Sequence, residues 1–193
     1  DMKLEVVFVD TGIDAWVEKL QTTYKTEKEL VSSNLFFEIH ILDKMKNLNE
    51  LKIGIANDHA GTDLKKYLVE QLTPLVAGIK NFGTDTNDSC DYPDYAHPLA
   101  ESVEKGEVDL GIAICGSANG ISMTCNKHQG VRCALSWETE IASLARQHNN
   151  ANIVGLPARF ISKEKALEIV KTFLTTDFEG GRHEKRVAKI AVK

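Results

Sequence analysis

From residue 51 onward, short apolar runs alternate with stretches in which apolar residues recur every three or four positions. The run Leu51-Lys52-Ile53-Gly54-Ile55-Ala56 predicts a strand that breaks at Asn57-Asp58-His59-Ala60-Gly61, after which Leu64, Tyr67, Leu68 and Leu72 fall on one side of a helix. The same reading predicts strands over 79–82, 110–114, 131–135 and 153–156, helices over 95–104, 138–148 and 163–174, and a helical tail over 182–191. The stretch 110–114 is the most continuous apolar run, the pattern of a strand covered on both faces. Strands alternating with helices in this way predict an α/β fold: a mainly parallel sheet, right-handed crossovers and helices on both faces. The first fifty residues follow a less regular pattern. A strand over 4–9, a helix over 15–31 carrying Trp16, Leu20, Tyr24 and Leu30, and a strand over 35–42 would make an appended β-α-β unit. The polar stretch 44–50 places the boundary near Leu48, dividing the chain into an N-terminal extension, 1–48, and a main domain, 49–193.

Composition narrows the class. A chain of 193 residues and 21.4 kDa is one domain plus an extension, and 42% hydrophobic with 26% charged residues is ordinary for a globular protein. A formal charge of −5 disfavours nucleic acid as a partner. The charge-free run 110–126 is too short and too rich in Gly, Ser, Asn and Thr to span a bilayer, and the N-terminus has no signal-peptide h-region, so a cytoplasmic protein without membrane contact is expected. In that reducing setting Cys90, Cys115, Cys125 and Cys133 are expected as thiols. No C-x-x-C spacing and no His pair at zinc-ligand spacing occurs.

Ligands of open parallel sheets bind at the carboxyl ends of strands, and two loops there carry chemistry. Asn57-Asp58-His59-Ala60-Gly61 sets a carboxylate and an imidazole side by side before a helix, although Asp58 would equally serve as a helix cap. The loop 115–120 follows the most buried strand and leads into a helix. Its N–H groups could face an anion, and a helix N-terminus favours the thiolate form of a cysteine such as Cys115; a tight turn over a buried thiol is the plainer alternative. Gly111 and Gly116 have P-loop spacing, but Ser117 stands where the phosphate-binding Lys is needed. Gly-x-Gly-x-x-Gly is absent, and Ile121 replaces the Arg that a cysteine phosphatase requires. Arg182 and Arg186 at i and i+4 would share one helix face, as a phosphate grip or a solvated basic patch. His148 closes a helix and Tyr92 lies in a loop, and neither has an assigned role from spacing alone.

Taken together, Asn57-Asp58-His59-Ala60-Gly61, Asp91-Tyr92-Pro93-Asp94-Tyr95-Ala96, Ile114-Cys115-Gly116, Gly120-Ile121-Ser122, Gly130-Val131-Arg132-Cys133-Ala134, Ala145-Arg146-Gln147-His148-Asn149-Asn150-Ala151-Asn152 and Phe178-Glu179-Gly180-Gly181-Arg182-His183 resemble the ribose-5-phosphate isomerase B family, which includes allose- and galactose-6-phosphate isomerases. The likeness runs from about residue 51 to the end. It implies a Rossmann-like three-layer α/β/α sandwich, a phosphorylated sugar substrate, no metal and no cofactor, and a homodimer or dimer of dimers with sites built by two chains. It also implies roles: Cys115 as the base moving a proton between C2 and C1, Gly116, Ser117, Ala118, Asn119 and Gly120 as the oxyanion loop, His148 in ring opening, and Asp58 and Tyr92 lining the sugar site. His59, Arg159, Arg182 and Arg186 would take the phosphate, with His148, Asn149 and Arg159 supplied by the neighbouring chain. Ile121 stands where one branch of the family carries a Glu base, so the chain resembles the Cys-type branch.

Ala118 departs from the pattern, because the family's loop has Gly there. If that position needs positive φ, alanine costs about 1 kcal/mol. The leading expectation is interconversion of ribose 5-phosphate and ribulose 5-phosphate, and the neighbouring one is the same chemistry on a hexose 6-phosphate. A non-catalytic sugar-phosphate-binding protein would be expected to have lost Cys115 or His148, and both are present.

Overall fold

The structure, a computed structural model, describes residues 48–192. The strand, helix and strand expected over 4–9, 15–31 and 35–42 lie outside the described residues. Five parallel strands, β1 Lys52–Asn57, β2 Gly78–Asn81, β3 Leu110–Cys115, β4 Cys133–Leu135 and β5 Ile153–Pro157, form one sheet in the order β2-β1-β3-β5-β4. Helices α1 Thr62–Leu72, α2 Pro93–Glu104, α3 Asn119–Cys125, α4 Thr139–Asn149 and α5 Lys163–Thr175 separate or follow the strands, and a short α6 covers Glu184–Val187.

Side-chain alternation along the strands sorts the helices into two layers. Ile53, Ile55, Ile112, Ile114, Val154 and Leu156 point to one face and pack with α1, α4 and α5 through Leu64, Leu68, Leu72, Ala142, Ala145, Ile169, Val170 and Phe173. Ala56, Ala113, Cys115 and Ile153 point to the other face, against Ala96, Leu99, Ala100 and Val103 of α2 and Ile121 and Cys125 of α3. This second face is built from small residues so that α2 comes close: a Cβ on Gly54 would stand 2.5 Å from Leu99 Cδ1. The arrangement is the expected three-layer sandwich, and β3 is buried along its whole length. Among the described residues no helix is long and apolar enough to cross a membrane.

Two expected elements are shorter than their apolar pattern suggests. The strand expected over 131–135 is confined to Cys133–Leu135, because the Val131 N–H closes a turn onto the His128 carbonyl and the Arg132 N–H donates to Asn152 Oδ1 at 2.7 Å. The helix expected over 182–191 is a 3-10 turn, Gly181–His183, followed by the single α turn of α6. Gly180 and Gly181, at φ 66° and 55°, turn the chain where Arg182 begins, so Arg182 and Arg186 do not share a regular helix.

The chain runs from β1 outward to β2 and then back across β1 to β3. The carboxyl ends of β1 and β3 therefore border the crevice where the connections diverge, the place at which such sheets bind ligands.

Candidate active site

Asp58 and Cys115 stand at those two strand ends. The Asp58 N–H donates to the Ile114 carbonyl at 3.1 Å, which fixes the first loop beside the second. Asp58 does cap the following turn, its Oδ1 accepting the Ala60 N–H at 2.9 Å, and it is buried. Asn57, fully buried, donates from Nδ2 to the Asp58 carbonyl and to Thr62 Oγ1, so the loop is held from within. His59 follows, its Nδ1 accepting the Cys90 N–H at 3.4 Å, which links it to the segment leading to Tyr92.

Cys115 is 4% exposed and ends β3. Of the other thiols, Cys125 has Cys133 beside it, and that neighbour together with burial pushes its pKa up, away from any thiolate role. After Cys115 the backbone turns through Ala118, whose φ of 62° is left-handed, as the comparison with glycine at that position anticipates. The exposed Ser117 accepts from the Asn119 N–H at 3.4 Å and from its Nδ2 at 3.3 Å, closing the turn. The Tyr92 ring lies on Gly120, where a Cβ would be 2.6 Å from Tyr92 Cζ. Arg159, at the end of β5, donates its N–H to the Gly116 carbonyl at 3.1 Å, and its side chain lies over Gly116 of the same chain. Asp58, His59, Tyr92, Cys115, the loop 116–120 and Arg159 thus gather at one edge of the sheet.

A second group forms at the end of α4. His148 and His183 stack face to face, with ring centroids 4.3 Å apart and planes 7° apart. Glu179 Oε2 lies 3.8 Å from His148 Nε2 and 3.6 Å from His183 Nε2. Arg182 Nε donates to His183 Nε2 at 3.3 Å. Arg146 builds this corner: its Nε donates to the Thr176 carbonyl and its guanidinium to the Ala151 carbonyl, tying the end of α4 to the segment after α5. The Glu179 N–H completes the tie at the Gln147 carbonyl. Asn149, the last residue of α4, and Arg186 are exposed. The ligand atoms of His148, Glu179 and His183 lie within 4.8 Å of one another, but the two rings lie in separate, nearly parallel planes, so their in-plane lone pairs do not meet at one point as a shared ion would require. Among the described residues no hydrogen bond or ion pair joins this group to the Cys115 loop.

Spacing carries no signal for Glu179, His183 and Lys65. The first two stand in the Phe178-to-His183 motif without an assigned role, and Lys65 reads as one of two adjacent helix lysines. The first two are found through the partner they share, His148, and Lys65 through its burial.

The fold is that of open parallel α/β proteins, which bind their ligands at the carboxyl ends of the strands, and the chain belongs to the Ribose/Galactose Isomerase family, whose model matches residues 53–190. Within it, the chain is 40% identical over 139 residues to ribose-5-phosphate isomerase B of Escherichia coli, covering 72% of this chain and 93% of that one. A putative sugar phosphate isomerase of Bacillus subtilis is 44% identical over 142 residues, 73% of this chain and 95% of its own length. Among solved structures, ribose-5-phosphate isomerase B of Mycoplasma genitalium with bound ribulose-5-phosphate is 43% identical and superposes with a TM-score of 0.69, covering 72% of this chain and 93% of that one. The Thermotoga maritima enzyme gives 0.71 at 45% identity, with 73% and 97% covered.

Proposed function

We propose that the protein interconverts D-ribose 5-phosphate and D-ribulose 5-phosphate, with Cys115 as the base. The observation that carries this reading is Cys115 at the end of a central strand, followed by a loop that turns through left-handed Ala118 and is covered at Gly120 by the Tyr92 ring, with Asp58 beside it at the end of the adjacent strand. Aldose–ketose isomerisation requires removal of a proton α to a carbonyl and stabilisation of the resulting enediolate. Cys115 Sγ takes the proton from C2 of the open-chain aldose, the electron pair forms the C1–C2 double bond of the enediolate, and the loop 116–120 holds the developing oxyanion. Returning that proton to C1, while the C2 hydroxyl gives up its proton to become the carbonyl and the C1 oxyanion takes one up to become the hydroxyl, gives the ketose, so nothing is oxidised overall and no cofactor is consumed. His148 exchanges the proton needed to open the ring, and Asp58 and Tyr92 orient the hydroxyls. His59, Arg159, Arg182 and Arg186 hold the phosphate, whose binding energy positions the reacting carbons.

A site assembled by two copies of the chain agrees with the separation of the Cys115 and His148 groups within one chain. Trp137 two residues after edge strand β4, Leu144 on α4 and Phe160 after β5 are large apolar side chains left exposed, Phe160 at 74%, and they suit the contact between such copies. The pentose assignment draws on relatives named ribose-5-phosphate isomerase B, and rates on ribose, allose and galactose phosphates measured side by side distinguish it from the hexose reading.

Exchange of the C2 hydrogen with solvent deuterium tests the base. Serine nearly matches cysteine in shape but is a far weaker acid, so Cys115→Ser is expected to bind ribose 5-phosphate with little change in KM and to lose about 10²–10⁴-fold in kcat and in exchange. A folded serine variant exchanging at the wild-type rate would transfer the role to another residue, Asp58 first.

A further inference from the structure

We propose that His183, held as a neutral imidazole, is the positioning residue that aims the Arg182 guanidinium at the substrate phosphate and fixes the His148 ring in its stack. This role rests on the proposed function, in which Arg182 binds the phosphate and His148 opens the ring.

A hydrogen-bond direction defines the state of the ring. Arginine has only donors and keeps its proton, so the 3.3 Å contact from Arg182 Nε requires His183 Nε2 to offer a lone pair. The proton of the ring is then on Nδ1 and the imidazole is neutral. Glu179 Oε2, at 3.6 Å from the same nitrogen, is beyond hydrogen-bond distance and does not compete for it. His183 is buried at 4% exposed, so its ring is held in place rather than free to turn in solvent.

The charged neighbours agree with this state. His148 faces the ring from α4, Glu179 from the preceding segment, and Arg182 and Arg186 from its own. Burial first, then the proximity of His148, Arg182 and Arg186, lower the His183 pKa below the ordinary 6.5, with Glu179 opposing. The Glu179 carboxylate that lies near the His183 ring also stands 3.8 Å from His148 Nε2. Protonating His183 turns its acceptor into a donor aimed at a guanidinium, releases Arg182 and places a cation against His148. Phosphate affinity is then lost at acid pH through a residue that itself does not touch the phosphate.

Glutamine separates the two roles of the ring, because its Oε1 accepts from Arg182 but does not titrate. At about pH 8, His183→Gln is expected to keep KM for ribose 5-phosphate within about threefold of wild type, while His183→Ala, which removes the acceptor, raises it about five- to tenfold with a smaller effect on kcat. Below about pH 6.5 the wild-type KM rises faster than that of His183→Gln; the substrate phosphate gains a proton near pH 6 with every variant, so the difference between the two curves is the signal. Arg182→Ala raises KM at every pH, and adding His183→Ala to it raises KM no further. Thermal unfolding verifies that each variant is folded, and the glutamine variant carries the test if the alanine variant is not. A glutamine variant whose KM follows the wild-type curve into acid, or a folded alanine variant with wild-type KM, overturns the proposal while leaving the phosphate role of Arg182 standing. If Arg182→Ala itself leaves KM unchanged, the phosphate assignment fails, and the positioning role of His183 falls with it.

Discussion

Gly120 lacks a side chain where the Tyr92 ring occupies the space that one would need. A methyl group there would stand 2.6 Å from Tyr92 Cζ and 2.8 Å from Cε1, so one of the two has to move. Tyr92 is 38% exposed and free to swing outward, which makes the movement cheap for the fold and costly for the site. Gly120→Ala is therefore expected to change stability by less than about 1 kcal/mol while lowering kcat/KM about tenfold or more, as a displaced positioning group does. Because both changes act through the same ring, Gly120→Ala combined with Tyr92→Ala should be little worse than Tyr92→Ala alone in steady-state kinetics. Fully additive losses would show that Gly120 acts independently of Tyr92. Ala118, two residues earlier, carries the opposite lesson: comparison with glycine at that position points to positive φ, and the φ of 62° agrees. The chain accommodates about 1 kcal/mol of left-handed strain there with a fully buried methyl group.

Elements differ in how far local sequence describes them. The three central strands follow their apolar runs to within a residue at either end, since β1, β3 and β5 are buried on both faces and periodicity has nothing to compete with. The edge strand β4 and the C-terminal tail fall short of their apolar patterns. In β4 the backbone is bound by side chains far along the chain: Asn126 pairs with both the N–H and the carbonyl of Cys133, and Asn152 takes the Arg132 N–H and donates to the Gly130 carbonyl. The stacked histidines belong to the same category, as neither ring predicts the other. Lys65 of α1 is the sharpest case. It is 2% exposed, and its Nζ donates to Asn81 Oδ1 at 2.9 Å, to Asp85 Oδ1 at 2.7 Å and to the Thr84 carbonyl, while Thr62 Oγ1 donates to the Thr86 carbonyl at 2.8 Å. These bonds anchor to α1 the start of the segment that runs on to Tyr92. In Lys65→Met, Asp85 Oδ1 keeps the Asn81 Nδ2 donor and Asn81 Oδ1 the Gly83 N–H, so the Thr84 carbonyl is the oxygen left without a partner, and the change is expected to cost about 1–3 kcal/mol in urea unfolding, with faster amide exchange over residues 84–90. Asp85 is exposed, so the buried carbonyl of Thr84 accounts for more of that cost than the ion pair. An unchanged unfolding midpoint would mean that the segment holds its position without α1.

At the scale of the whole molecule, the group proposed to abstract the proton and the group proposed to open the ring are not connected by hydrogen bonds among the described residues of one chain. Cys115, Asp58 and Tyr92 are organised around the ends of β1 and β3, whereas His148, Glu179, His183 and Arg182 are organised by Arg146 around the end of α4. If two copies complete each other's sites, a defect in one group and a defect in the other are complementary. Cys115→Ala and His148→Ala homodimers are each expected to lose at least about 10²-fold in turnover, the usual scale for removing a proton-transfer group. In a mixed dimer, one of the two sites receives Cys115 from one chain and His148 from the other, while its companion site lacks both. Random exchange of equal amounts makes half of the dimers mixed, each with one intact site, so recovered activity should approach about a quarter of that of the wild type at equal chain concentration. Exchange is followed independently by native mass spectrometry of differently labelled chains. Recovery well above the sum of the two parents, rising in step with the mixed species, is the expected result. Mixed dimers present in quantity without recovered turnover would place Cys115 and His148 in the same chain's site, and would require the α4 corner to reach the Cys115 loop by a movement within one copy.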